Sequence, residues 1–227
     1  MTTDPIAAMT ERYRGQYREH GYSPKSLGWD KGKQEVRFQT LFEFFSWEGR
    51  AVLDIGCGFG DFAGYLTRKI GPVFNYTGID LIPEFIDEAR ARNSYSTATY
   101  STGDFLQVSF DRPFDIVVGS GIFNHKFDGD RNQAVVEKTL RKAFGICREG
   151  IAFDFLTDKV DFKHAHTHHT NPEWLLGLGY SLTRNLTFRN DVMPFECSIA
   201  LHKNQEFQTE DTLFTIWKVK QGVSSVG

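Results

Sequence analysis

Cysteine is scarce in this chain: Cys57, Cys147 and Cys197 are the only three among 227 residues. An odd number without paired spacing excludes the disulfide framework of small secreted domains, and buried thiols are expected instead. Positive charge is not in excess either. Twenty-six Lys and Arg against 29 Asp and Glu leave a net charge of −3 and a pI near 6.2, so there is no global basic field to hold a nucleic-acid backbone. No apolar run approaches the roughly 20 residues of a membrane-spanning helix, and the N-terminal segment lacks the apolar core of a signal peptide. A cytoplasmic protein with no membrane and no nucleic-acid partner is the expectation. Repeats and long low-complexity tracts are missing as well. Apolar side chains are plentiful: 40% of residues are hydrophobic and 21 are Phe, which suffices for one large core in a single domain over 1–227.

The most informative stretch is residues 51–61, AVLDIGCGFGD. Residues 51–55 are apolar without alternation, as in a strand buried on both faces of a parallel sheet, and Phe62, Leu66 and Ile70 then recur at helical spacing. Gly56, Gly58 and Gly60 therefore form the turn from strand to helix. Glycine permits positive φ and close approach of a ligand, so such a turn at a helix N-terminus suits a nucleotide-like molecule. A dinucleotide site would want Gly-x-Gly-x-x-Gly and an open helix N-terminus for pyrophosphate. Here the third glycine comes one residue early, and Asp54 and Asp61 flank the loop. Two carboxylates repel phosphate and favour a cation.

Residues 50–60 resemble motif I of the class I S-adenosylmethionine-dependent methyltransferases, an acid followed by Gly-x-Gly-x-Gly after the first strand. The cofactor, with its sulfonium and ammonium and no phosphate, suits the charge pattern. The resemblance implies a Rossmann-like α/β fold with a seven-stranded sheet, five parallel strands plus a C-terminal antiparallel hairpin, flanked by helices. Residues 188–196, FRNDVMPFE, are also similar to the C-terminal signature of small bacterial members, many without an assigned substrate.

Further strands read at 73–79, 97–101, 114–119 and 151–156, with helices at 83–92 and 132–147; 181–188 and 195–202 are rich in β-formers and form the hairpin. Asp80 follows the second strand, where an acid about twenty residues beyond a glycine turn serves both hydroxyls of a ribose. The resemblance gives Asp80 that role, Leu81 and Ile82 apolar contact with adenine, and Asp104 and Phe105 the adenine amino group and ring. Cys57 in the loop and Ser120 after the fourth strand are counted with the cofactor residues. The core is thus expected over 50–203.

Residues 1–49 precede this core with helical patterns at 6–20 and 33–45. In the family such an addition lies across the cofactor as a lid. Tyr13, Tyr17, His20, Tyr22 and Trp29 are then available to the acceptor pocket, with Tyr17 and Trp29 foremost, while Gln34 or Arg37 meets the methionine end of the cofactor. Arg37 suits a carboxylate through a two-point pair. The tail, 204–227, reads as a polar stretch and an extra strand at 212–219, either at the sheet edge or reaching a second copy in a homodimer.

Asn124 and His125 follow the fourth strand, where the acceptor is usually presented, and are the candidate catalytic pair; histidine is the natural base near neutral pH. The run His164-Ala165-His166-Thr167-His168-His169 follows the fifth strand. Its spacing matches no standard structural zinc site, so His166, His168 and His169 are assigned to the acceptor and no metal is expected. The chain lacks the Asn/Asp-Pro-Pro-Tyr/Phe motif of methyltransferases acting on base amino groups, and the paired glutamates of protein arginine methyltransferases. A small or carrier-bound metabolite, methylated on oxygen or nitrogen, is the expected acceptor. An inactive cofactor-binding or scaffolding protein of the same fold and a nicotinamide-dependent oxidoreductase are the alternatives.

Overall fold

The computed structural model describes residues 5–28, 34–93, 97–127, 129 and 131–204. Trp29 and the expected strand at 212–219 lie outside them. Seven strands form one sheet in the order β3-β2-β1-β4-β5-β7-β6. β1 (Ala51–Ile55) and β4 (Phe114–Gly119) lie at its centre and are almost wholly buried, which is why their sequences are apolar without alternation. β2 (Asn75–Asp80), β3 (Ala98–Thr102) and β5 (Cys147–Leu156) run parallel to them.

β7 (Glu196–His202) inserts between β5 and β6 (Leu186–Arg189) and is antiparallel to both. The expected C-terminal hairpin is therefore present, with β7 the one strand that runs against the rest. Its first arm is shorter than its β-formers suggest. Residues 181–182 close α6 (Pro172–Leu182), whose start carries a signal the strand pattern obscured: Asn171 caps it by accepting the Trp174 N–H at 2.8 Å, and Pro172 occupies the first turn. Cys147 likewise opens β5 rather than ending α5 (Arg131–Ile146). All three cysteines are free and buried.

One apolar layer, holding Leu53, Val117, Leu140 and Phe153, packs α5 and α6 on one face of the sheet. The other, holding Phe38, Trp47, Phe62 and Ile86, packs α2 (Gln34–Phe42), α3 (Asp61–Ile70) and α4 (Pro83–Arg92) on the opposite face. Registers align the carboxyl ends: Asp54 sits opposite Gly78 and Val118, and Gly119 opposite Phe153. Chain order reverses between β1 and β4, and a crevice opens there. Among the described residues no helix is long and apolar enough to cross a membrane.

The N-terminal segment covers that crevice. α1 (Pro5–His20) lies beside α4, joined by Arg14 to Glu84 at 3.1 Å and by the Tyr17 hydroxyl, which donates to Glu88 at 2.8 Å. A 3-10 helix (Pro24–Leu27) follows, closed by Gly28 in the left-handed region. Phe59, Ile82 and Phe85 form a small buried cluster, with Tyr13, Tyr17 and Leu27 packed on it.

Candidate active site

The glycine loop is folded by the strands beside it. The Gly56 and Cys57 N–H groups both donate to the Ile79 carbonyl of β2, at 2.7 and 3.1 Å. Gly56, Gly58 and Gly60 all have positive φ, between 53° and 72°, a region that costs an L side chain about 1–2 kcal/mol. At Gly56 the lack of a side chain is also a matter of space, since a Cβ would lie 2.4 Å from Ile122 Cγ2.

Asp80 ties this loop to the next. One carboxylate oxygen accepts the Gly58 N–H at 3.0 Å and the other the Ile82 N–H at 2.9 Å. Burial pushes its pKa up to about 6 in spite of these donors. Asp54, buried at the end of β1, accepts the Tyr76 hydroxyl; burial, and then the charges of Asp80, Asp154 and Asp61, raise it to about 7. Asp154 of β5 holds the loop after β4, accepting from the Ser120 hydroxyl and the Gly121 N–H, both at 2.6 Å. Asp104 turns its own loop by accepting the Leu106 N–H at 2.8 Å.

These groups surround a cavity of about 230 Å³. Asp54, Gly56, Cys57, Gly58, Asp80, Leu81, Ile82, Asp104, Phe105 and Ser120, all assigned to a cofactor from the sequence, line it together. Gly60 does not; it shapes the loop from behind, donating to the Cys57 carbonyl at 2.9 Å and starting α3. Among the described lining residues there is no Lys, Arg or His. Carboxylates held together without a cation fit a positively charged adenosine-bearing ligand and oppose a phosphate.

A second cavity, of about 650 Å³, adjoins the first and shares Tyr13, Leu27 and Gly121 with it. Its walls carry Arg12, Asn124, His125, His164, His166 and His169. The ring of His125 meets Phe127 at 5.0 Å, and its Nδ1, like Asn124 Oδ1, is buried with no hydrogen-bond partner among the described residues. Desolvation, then Arg12 and His166, hold the His125 pKa below the ordinary imidazole value. His166 is lowered by the same kind of surroundings, burial, Arg12 and His164.

Several expected roles fall elsewhere. Arg37 lies in the wall of the second cavity and its guanidinium forks onto Glu196 of β7, with Nε 2.6 Å from Oε2. That pairing occupies the two-point geometry expected for a cofactor carboxylate. Tyr17 borders neither cavity; its ring packs 5.8 Å from Phe59 and 5.7 Å from Phe85, and it anchors the N-terminal helix. Tyr22 and His20 also border neither cavity. Asp61 faces the N-terminal segment, accepting from Tyr22 at 2.8 Å and Gln34 at 3.3 Å.

The histidine run is a loop without the extended alternation that would align His164, His166 and His168. His164 and His166 stack 5.5 Å apart on the cavity wall. His168 is not part of that wall; its Nε2 is buried, and burial drives its pKa down to about 4. His169 is held from both ring nitrogens, by the Thr157 carbonyl at 2.8 Å and the Thr167 hydroxyl at 3.1 Å. Among the described residues no group of three or more metal-ligating side chains is assembled.

Sequence reasoning missed Arg12, whose only signal is its place beside Tyr13, and the bracing role of Asp154. Sheet order, glycine loop and acid-lined crevice together define an α/β domain of the nucleoside-cofactor-binding kind.

Residues 52–150 match the family described as "Methyltransferase domain". The chain is similar to the fatty-acid O-methyltransferase of Mycolicibacterium smegmatis, with 39% identity over 72 residues, 31% of this chain and 26% of that one. The chain thus spans about a quarter of the length of that curated relative. Its structure superposes on human N-acetylserotonin methyltransferase in complex with SAM (TM-score 0.65, 15% identity, 90% of this chain and 60% of that one). It also superposes on magnesium protoporphyrin IX methyltransferase of Synechocystis PCC 6803 with bound SAM (TM-score 0.63, 13% identity, 89% and 99%). At these identities the structural likeness is one of fold. Over residues 52–150 the chain is similar to methyltransferase domains, and its fold is the one these S-adenosylmethionine-bound methyltransferases share.

Proposed function

We propose that the protein binds S-adenosylmethionine in the acid-lined cavity and transfers its methyl group to an oxygen or nitrogen atom of a small or carrier-bound metabolite in the adjoining cavity. The observation that carries this reading is the division of charge between two connected cavities, carboxylates around one and imidazoles and a guanidinium around the other. The cofactor supplies an electrophilic methyl carbon, which an acceptor lone pair takes as the carbon–sulfur bond breaks and its electrons stay on sulfur. The protein's part is to align the acceptor and exclude water.

Asp80 and Asp104 supply acceptors to the nucleoside, and Leu81, Ile82 and Phe105 its apolar bed. Tyr13 and Gly121, common to both cavities, border the path between them. His125, kept neutral by its surroundings, takes the proton of an alcohol or ammonium acceptor, and Asn124 orients that group. The likeness to a fatty-acid O-methyltransferase favours oxygen. The carboxylate lining argues against a nicotinamide dinucleotide.

Calorimetry with S-adenosylhomocysteine tests the cofactor. Binding by the wild type that is weakened at least about tenfold in Asp80→Ala supports the reading, because an acceptor of charge-assisted hydrogen bonds is lost. No binding by the wild type overturns it. Radiolabelled methyl transfer across a metabolite panel then separates an enzyme from a protein that only binds.

A further inference from the structure

We propose that the acceptor is an organic anion with an apolar body, and that Arg12 of the lid helix is its recognition residue. This rests on the reading of the second cavity as the acceptor site. Among the described residues two guanidinium groups and one ammonium border that cavity, and two of the three already have acids. Arg37 is paired with Glu196, while Lys159 lies 2.9 Å from Glu173 and 3.7 Å from Asp158. Arg12 has no acid partner among the described residues, whereas Arg14 and Arg18 of the same helix do.

Its charge acts inward. After burial, Arg12 is the foremost charge acting on both His125 and His166, followed in each case by a neighbouring histidine. Arg12, His125 and His166 thus line one cavity, whose described lining holds a single carboxylate. Among the described residues that acid is Asp161, which is exposed. An anion placed there accepts a forked pair from the guanidinium.

Size and apolar lining narrow the class. About 650 Å³ is room for a drug-sized molecule rather than a bare inorganic anion. Leu27, Leu156, Val160 and Phe162 supply apolar wall, and Phe162 is 68% exposed at the mouth. A carboxylate and a phosphate monoester share the required chemistry. In the cavity beside it the charged groups among the described lining residues are all carboxylates, so a cation is drawn to one side and an anion to the other.

The test is calorimetry on the full chain saturated with S-adenosylhomocysteine, using 4-phenylbutyrate, its neutral amide and phenyl phosphate as probes. The expected result is that at least one anion binds about tenfold or more tighter than the amide, with carboxylate against phosphate telling which head group fits. Arg12→Gln removes that preference and Arg12→Lys keeps part of it, since a charge remains without the fork, while S-adenosylhomocysteine affinity stays within about twofold. Equal binding of acid and amide, an unaffected Arg12→Gln, or no binding of any probe overturns the proposal. If the wild type fails to bind S-adenosylhomocysteine, the cofactor reading fails separately, and the acid–amide comparison on the free protein still decides this one.

Discussion

Arg37 of α2 and Glu196 of β7, 159 residues apart, face each other in a buried forked ion pair, each 4% exposed. The pair fastens the N-terminal segment to the reversed strand of the sheet and so fixes one wall of the larger cavity. Removing one side chain deprives a buried charge of its partner in this pair, a loss of about 3–5 kcal/mol. Arg37→Met and Glu196→Leu are each expected to destabilise by that order in urea denaturation. The double variant is expected to recover much of the loss, because two apolar side chains replace two desolvated charges. Additive losses instead would show that each residue is held by contacts other than the pair.

Gly56→Ala is expected to damage the loop through two separate effects. The positive φ of 65° costs a side chain about 1–2 kcal/mol, and the 2.4 Å approach to Ile122 Cγ2 forces that loop to move at about 1–3 kcal/mol more. Gly56→Ala/Ile122→Ala removes the contact and leaves the backbone strain. Its unfolding midpoint should therefore be compared with that of Ile122→Ala alone: the added glycine substitution should cost less there than in the wild type. An equal cost in both backgrounds would mean that the backbone carries the whole effect.

Buried Asp54 and Asp80 give stability a definite pH slope. Both have an ordinary value of 3.8, raised in the fold to about 7 and about 6. Between about pH 4 and 7 the unfolded chain has lost these protons while the folded chain keeps them, so the unfolded state binds fewer protons and stability falls as pH rises. The contribution is complete below about pH 4 and gone above about pH 7. Exposed carboxylates lowered by their partners, Glu43 and Asp191 among them, act in the opposite sense at lower pH. Asp54→Asn, which keeps an acceptor for Tyr76, isolates the buried term. Thermal melts of wild type and variant should diverge across pH 5–7, the wild type losing stability faster toward neutral pH. Parallel curves would show that Asp54 is ionised throughout.

What the sequence made legible follows from how local each signal is. Gly56, Gly58, Asp80 and Asp104 stand out because a turn and the strand end before it dictate residue type within a few positions, and sheet order then gathers them. Tyr17 and Arg37 look equally suited to a ligand, yet their places depend on Glu88 and Glu196, far along the chain, and no local pattern announces such partners. His166 and His168 differ by two positions and end on different sides of a loop whose path is set by His125–Thr167 pairing and by the Asn124 carbonyl, which accepts the His168 N–H at 2.9 Å. α6 was hidden by its β-forming end, although Asn171-Pro172 announced its start.

The base assigned to His125 has a kinetic signature that a structural histidine lacks. Desolvation, and then the charge of Arg12, hold its pKa below 6.5, so the imidazole is already unprotonated at neutral pH and able to accept a proton. With an alcohol or amine acceptor, kcat should stay flat on going down from neutral pH and fall only below the ordinary histidine range, as the ring gains its proton. His125→Ala should reduce kcat by about 10²–10⁴-fold and abolish that acidic limb, with the KM for S-adenosylmethionine little changed. Arg12→Gln removes one of the charges that disfavour protonation, so the limb should move to higher pH. An acidic limb that persists in His125→Ala would assign the proton transfer to another group, and a limb unmoved by Arg12→Gln would show that burial alone sets the value.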